Sequence, residues 1–217
     1  MSLGTTTILN RPAYIFDLDG VLVDTAVFHY EAWKRLANEL GFDFTVAQNE
    51  QLKGVSRVES LEKILAWGGV EKTDAEKLEL AKKKNDWYLE MVAKMTASDL
   101  LPGVLAFLEQ ARAEGKKIAL GSASKNAPLI LDKTGIARFF DAIVDGNEVS
   151  LSKPNPEVFL CAARKLEVQP ADCLVFEDAE AGVAAAIAGG MAVVGIGEEG
   201  ALPDADALVA NLGKLVK

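Results

Sequence analysis

The chain has 217 residues, half of them apolar, a quarter charged and 7% aromatic, which excludes a disordered chain and leaves room for one large domain or one domain with an insert. Its 32 acidic and 23 basic residues give a net charge of −9, and a field of that sign repels nucleic acid and anionic lipid, so neither is an expected partner. Two cysteines, Cys161 and Cys173, are too few for a disulfide framework and read as buried apolar fillers in a reducing compartment.

The first expected strand is the run Ala-Tyr-Ile-Phe-Asp-Leu at residues 13–18. Residues 26–96 then follow helical spacing. Tyr30, Trp33, Ala37 and Leu40 mark one helix that ends at Gly41; Leu61, Ile64 and Leu65 mark a shorter one. Ala81, Asn85, Tyr88, Val92 and Met95 mark a third, with Leu78 one turn earlier. Tyr30, Trp33 and Tyr88 read as packing inside this block, and Lys82-Lys83-Lys84 as a solvated helix face. From residue 100 onward strands and helices alternate. Apolar runs at Lys117 to Leu120, Ala142 to Val144, Cys173 to Phe176 and Ala192 to Ile196 suit strands covered on both faces. Between them lie a helix through Val104, Phe107, Leu108 and Ala111, one opened by Asn155 as N-cap and Pro156 at N1, and an alanine-rich one from Ala181 to Ala188. That alternation implies βαβ units and a parallel sheet. The expected fold is therefore α/β: a core from residues 1–24 and 97–217, interrupted by an all-helical cap at 25–96. The longest apolar stretch, Val183 to Gly197, is short and broken by glycines, and no stretch reads as a signal peptide, so a soluble cytoplasmic protein is expected. Nothing demands more than a monomer.

Chemistry concentrates where strands end. Asp17 and Asp19 are two apart at the end of the first apolar run and point the same way, and Gly20 lets the chain turn away. Ligands of open α/β sheets bind outside the carboxyl ends of strands. Three more sets fall on that edge: Ser122-Ala123-Ser124-Lys125-Asn126 after the second run, Lys153 beyond the third, and Glu177-Asp178 closing the fourth. The grouping suggests phosphoryl transfer to an aspartate. A carboxylate attacking phosphate meets repulsion of roughly 4 kcal/mol per charge pair at about 4 Å and an effective dielectric of about 20, so positive charge must be installed locally. Mg²⁺ on oxygens from Asp17, the Asp19 main-chain carbonyl and the Glu177-Asp178 pair would supply it. Lys153 and the Ser122 hydroxyl could bind the remaining phosphate oxygens, leaving Asp19 free as general acid and base.

Asp17-Leu18-Asp19-Gly20, Ser122, Lys153 and Glu177-Asp178 together resemble, in order, the four motifs of the haloacid dehalogenase superfamily of phosphotransferases. More narrowly, His29, Trp33, the run from Asn49 to Arg57, the run from Leu80 to Asn85 and Ser122 to Asn126 resemble the β-phosphoglucomutase family, over about Ala13 to Gly197. The resemblance implies a Rossmann-like core whose helical cap closes over a sugar phosphate, and a requirement for Mg²⁺. It implies that Asp17 becomes the phosphoaspartate and Asp19 the acid–base. Thr25 and His29 would lie at the hinge, with His29 and Lys84 positioning Asp19. Arg57 and Ser124-Lys125-Asn126, next to Ala123, would grip the phosphate that is not reacting. Trp33, Gln51, Lys53, Gly54 and Ser60 would line the sugar site. The reaction implied converts β-glucose 1-phosphate to glucose 6-phosphate through a bisphosphate that turns round in the site. A sugar-phosphate phosphatase on the same scaffold is the nearest alternative, followed by a silent sugar-phosphate-binding regulator. Gly121 and Ala179 depart from the residues frequent beside the second and fourth motifs, but neither replaces a charged group.

Overall fold

The computed structural model describes residues 7–52 and 55–217. Four helices follow the first strand: α1 (Ala26–Glu39), α2 (Val46–Glu50), α3 (Arg57–Gly68) and α4 (Asp74–Val92). Capping boxes open the last three. Thr45 pairs with Gln48, Ser56 with Glu59 and Thr73 with Glu76, each satisfying backbone N–H groups that a helix start leaves orphaned. Trp33, Leu36 and Ala37 of α1 bury against Leu61, Ile64 and Leu65 of α3 and against Phe44, which gives these helices a core of their own.

The remainder is a six-stranded sheet. Strands β1 (Ala13–Phe16), β2 (Lys117–Gly121), β3 (Ala142–Val144), β4 (Cys173–Glu177), β5 (Ala192–Ile196) and β6 (Ala207–Val209) lie in the order β3-β2-β1-β4-β5-β6, and every neighbouring pair is parallel. Helices α5 (Val104–Ala113), α6 (Ala127–Lys133), α7 (Glu157–Leu166) and α8 (Glu180–Ala188) connect the strands. Alternation along β1 feeds two cores. Tyr14 and Phe16 face one side, where Tyr14 stacks on Phe107 at 5.8 Å and Phe16 on Phe176 at 4.6 Å. Ile15 faces the other, with Val175, Phe159 and Val193. Each such large apolar side chain contributes about 1.5–3 kcal/mol by leaving water, and the aromatic pairs about 0.5–1.5 kcal/mol more. Tyr88, Val92 and Met95, at and beyond the end of α4, join the same buried cluster as Val21, Leu22 and Val23, so this helix is rooted in the core as well as in the helical block.

Several expectations shift. β1 ends at Phe16 rather than running to residue 18; the chain bends at Leu18 and turns at Gly20. β6 was not expected: it has three half-buried residues at the sheet edge, too short to show a period. Nor were the five-residue α2 or α6 read from periodicity. Glu157, not Pro156, is the first residue of α7, yet the Asn155 side chain does accept from Glu157 N–H at 3.0 Å. Cys173 is buried as expected, whereas Cys161 is only half-buried, with Arg164 Nη2 at 2.7 Å from its Sγ. Among the described residues no helix is long and apolar enough to cross a membrane.

Candidate active site

Phe16 of β1 is in register with Leu120 of β2 and Phe176 of β4, so the three central strands finish level at one edge. The residues that follow them meet there. Asp17 donates its N–H to Phe176 O at 3.0 Å, which fixes its backbone against β4. Lys153 places its Nζ 2.5 Å from Asp17 Oδ1 and 2.8 Å from Glu177 Oε2, and all three side chains are almost fully buried. Burial works against the Lys153 ammonium, but Asp17 and Glu177 outweigh it and hold the group above the ordinary lysine range. The other Glu177 oxygen, Oε1, accepts the N–H groups of Asp178 and Ala179 at 3.2 and 3.1 Å. Such a three-way pairing is needed, because an uncompensated buried charge is strongly destabilising.

Carboxylate oxygens of Asp17, Glu177 and Asp178 lie within 4.8 Å of one another. That is close to the roughly 4 Å between opposite ligands of an octahedral Mg²⁺ bound at about 2.1 Å. Three carboxylates against one ammonium leave a formal charge of −2, and the donors are hard oxygens. The residues present therefore fit a divalent cation of that kind.

Two glycines make room for this cluster. A Cβ on Gly20 would sit 2.0 Å from Asp178 Oδ2, and the residue's φ of +78° is in any case costly for other residues. A Cβ on Gly182, in the first turn of α8, would lie 2.0 Å from the Glu177 carboxyl carbon. Gly20→Ala is accordingly expected to cost at least roughly 2 kcal/mol, read as a lowered urea midpoint at unchanged m-value.

Asp19 stands on the rim. The Thr25 hydroxyl donates to Asp19 Oδ1, and the Tyr88 hydroxyl donates to Thr25 Oγ1 at 3.2 Å. Burial first, and then Asp17, Asp178 and Asp24, push the Asp19 carboxyl up from the ordinary 3.8 to about 7, against the opposing pull of Thr25. A value near the working pH suits a group that must both give and take a proton.

Behind it, Lys84 Nζ is 2.7 Å from His29 Nδ1 and lies over the rings of Trp33 and Tyr88, 4.4 and 5.0 Å from their centroids. Lys84 is 1% exposed, which corrects the expectation of a solvated face: Lys82 and Lys83 face solvent, but one step round the helix Lys84 points inward. Burial, then Arg57, hold Lys84 well below the lysine range, with Asp19 opposing; burial, then Lys84 and Arg57, hold His29 well below the histidine range. A neutral imidazole can then accept from the lysine, an arrangement two cations at that distance could not sustain.

Ser122 is buried at the end of β2 and its Oγ accepts from Ser124 N–H at 3.1 Å. Ala123, Ser124, Lys125 and Asn126 form the loop that follows; Asn126 Nδ2 donates across to Asn85 Oδ1 of α4 at 2.9 Å. Ser60 is buried in α3 and Gln51 is exposed just after α2, and among the described residues neither shares a hydrogen bond with the carboxylate cluster. Lys53 and Gly54 lie outside the described residues. Tyr88 was read only as packing; its spacing of four from Lys84 puts both on one helix face and is the signal that links it to the site.

A family model for haloacid dehalogenase-like hydrolases matches residues 12–190. The β-phosphoglucomutase of Bacillus subtilis is 47% identical over 205 residues, covering 94% of this chain and 91% of that protein. A phosphorylated carbohydrates phosphatase of Thermotoga maritima is 33% identical over 184 residues, 82% of each chain. Among solved structures, the β-phosphoglucomutase of Clostridium difficile superposes with a TM-score of 0.91 at 41% identity, covering 94% of this chain and 93% of that one.

Proposed function

The chain belongs to the haloacid dehalogenase-like hydrolases, and we propose that within this family it is a phosphomutase. In this reading it interconverts β-D-glucose 1-phosphate and D-glucose 6-phosphate through a phosphorylated Asp17 and β-glucose 1,6-bisphosphate. The observation that carries the reading is near-full-length likeness to a curated β-phosphoglucomutase at 47% identity. The geometry supports it: a carboxylate, a buried ammonium and a rim carboxyl with a raised pKa converge at one sheet edge.

Asp17 attacks phosphorus while the bond from phosphorus to the sugar oxygen breaks, and the departing oxygen takes a proton from Asp19. In the other half, Asp19 removes a proton from the 6-hydroxyl of β-glucose 1-phosphate, which attacks the phosphoaspartate, forms the bisphosphate and regenerates free Asp17. Lys153 and the Ser122 hydroxyl hold the transferring oxygens, and Glu177 keeps Lys153 aimed. Asp17, Asp178 and the Asp19 main-chain carbonyl would hold Mg²⁺, which when bound would supply positive charge to offset repulsion between phosphate and carboxylates. Arg57, Ser124, Lys125 and Asn126 take the idle phosphate, and Trp33, Gln51, Lys53, Gly54 and Ser60 line the sugar. The helices between Ala26 and Val92 act as the cap, with Thr25 and His29 at its hinge.

Phosphorus NMR tests the proposal. With Mg²⁺, β-glucose 1-phosphate and a trace of bisphosphate, a glucose 6-phosphate resonance is expected to grow as the substrate resonance falls. Inorganic phosphate without glucose 6-phosphate would overturn the mutase reading in favour of a phosphatase.

A further inference from the structure

The segment of residues 150–152, just before Lys153, is held by hydrogen bonds to Glu157 and Asn155. Ser150 and Leu151 donate their N–H groups to Glu157 Oε2 at 2.9 and 2.7 Å, and Ser152 O accepts from Asn155 N–H at 3.0 Å. The Ser152 hydroxyl reaches the helical block: Ser152 Oγ donates to Glu59 Oε2, in the first turn of α3, at 2.8 Å. The same oxygen accepts from Ser56 N–H and Ser56 Oγ at 3.3 and 2.6 Å. One carboxylate therefore caps its own helix and ties that helix to the sheet edge. Its charged form is favoured there first by the Ser56 hydroxyl and then by that of Ser152.

The neighbours of these two residues give the tie its meaning. Two residues before Glu59 is Arg57, assigned above to the idle phosphate; one residue after Ser152 is Lys153, assigned to the reacting phosphate. We propose that Glu59 and Ser152 are positioning residues that latch the cap to the core, setting the distance between the two phosphate grips and keeping water from the phosphorylated Asp17. This rests on the phosphomutase reading, in which the phosphoaspartate must survive while the bisphosphate turns round. Neither residue touches the reacting atoms; both act through Arg57 and Lys153.

A latch of this kind governs partition rather than chemistry, and partition is what the test reads. Inorganic phosphate released per glucose 6-phosphate formed is measured for the wild type, Ser152→Ala, Ser152→Thr, Glu59→Gln and the S152A/E59Q double variant. Glutamine keeps the capping box, so loss of α3 is not at issue, and it offers the Ser152 hydroxyl a neutral amide oxygen, a weaker acceptor than the carboxylate. An exposed hydrogen bond is worth little, and Ser152→Ala is expected to raise the ratio about three- to ten-fold, Glu59→Gln by a smaller factor. Ser152→Thr should restore it, and the double variant should not exceed Ser152→Ala. An unchanged ratio in Ser152→Ala, or additive effects in the double variant, would overturn the latch. Absence of glucose 6-phosphate from the wild type would instead overturn the phosphomutase reading. The latch is then read from acetyl phosphate hydrolysis, where a faster Ser152→Ala supports it and a rate equal to wild type refutes it.

Discussion

Replacing Asp17 by Asn is expected to lower phosphoryl-transfer turnover by about 10⁴-fold or more, the scale on which loss of a covalent nucleophile acts. The amide has nearly the shape of the carboxylate but a far poorer nucleophile, so the variant separates chemistry from folding. Lys153 keeps its 2.8 Å partner Glu177, and one of three crowded carboxylates becomes neutral, so the thermal midpoint should hold or rise. The measurement is turnover of β-glucose 1-phosphate beside a thermal melt. A correctly folded variant at the wild-type rate would refute Asp17 as nucleophile.

Asp19→Ala should slow sugar phosphate turnover by about 10²–10⁴-fold, the usual contribution of a positioned acid or base. The effect should depend on the leaving group. Departure of a sugar alkoxide needs a proton, whereas acetate leaves acetyl phosphate readily without one. Phosphorylation of Asp17 by acetyl phosphate should therefore be slowed far less than transfer from the sugar. The comparison needs only two single-turnover rates on one preparation, and equal slowing of both would contradict the acid–base role.

The central strands were legible because parallel strands buried on both faces read as apolar runs, as β1 does throughout, β2 after Lys117 and β4 before Glu177. β6 escaped because a three-residue edge strand is too short for a pattern. The four charged sets at strand ends were legible from alternation and from the rule that sites form at carboxyl edges. What they do to one another was not. No spacing shows that Lys153 bridges Asp17 and Glu177, since the bridge joins residues 136 and 24 positions apart. The inward turn of Lys84, implied by the resemblance, is invisible to charge pattern for a related reason. Lysine runs are solvated by default, and only the packing of α4 against Trp33 and His29 turns one of three lysines inward.

The three central strands finish level at one edge of the sheet. The charged groups around the reacting phosphate follow or close a strand, while the strand interiors hold packing side chains such as Ile15, Ala119 and Val175. Durability and speed thus reside in separate stretches of the chain. Variation a few residues upstream of the edge can harden or soften the scaffold against heat without retuning the reaction, and variation of the charged side chains at the edge can retune the reaction without repacking the scaffold.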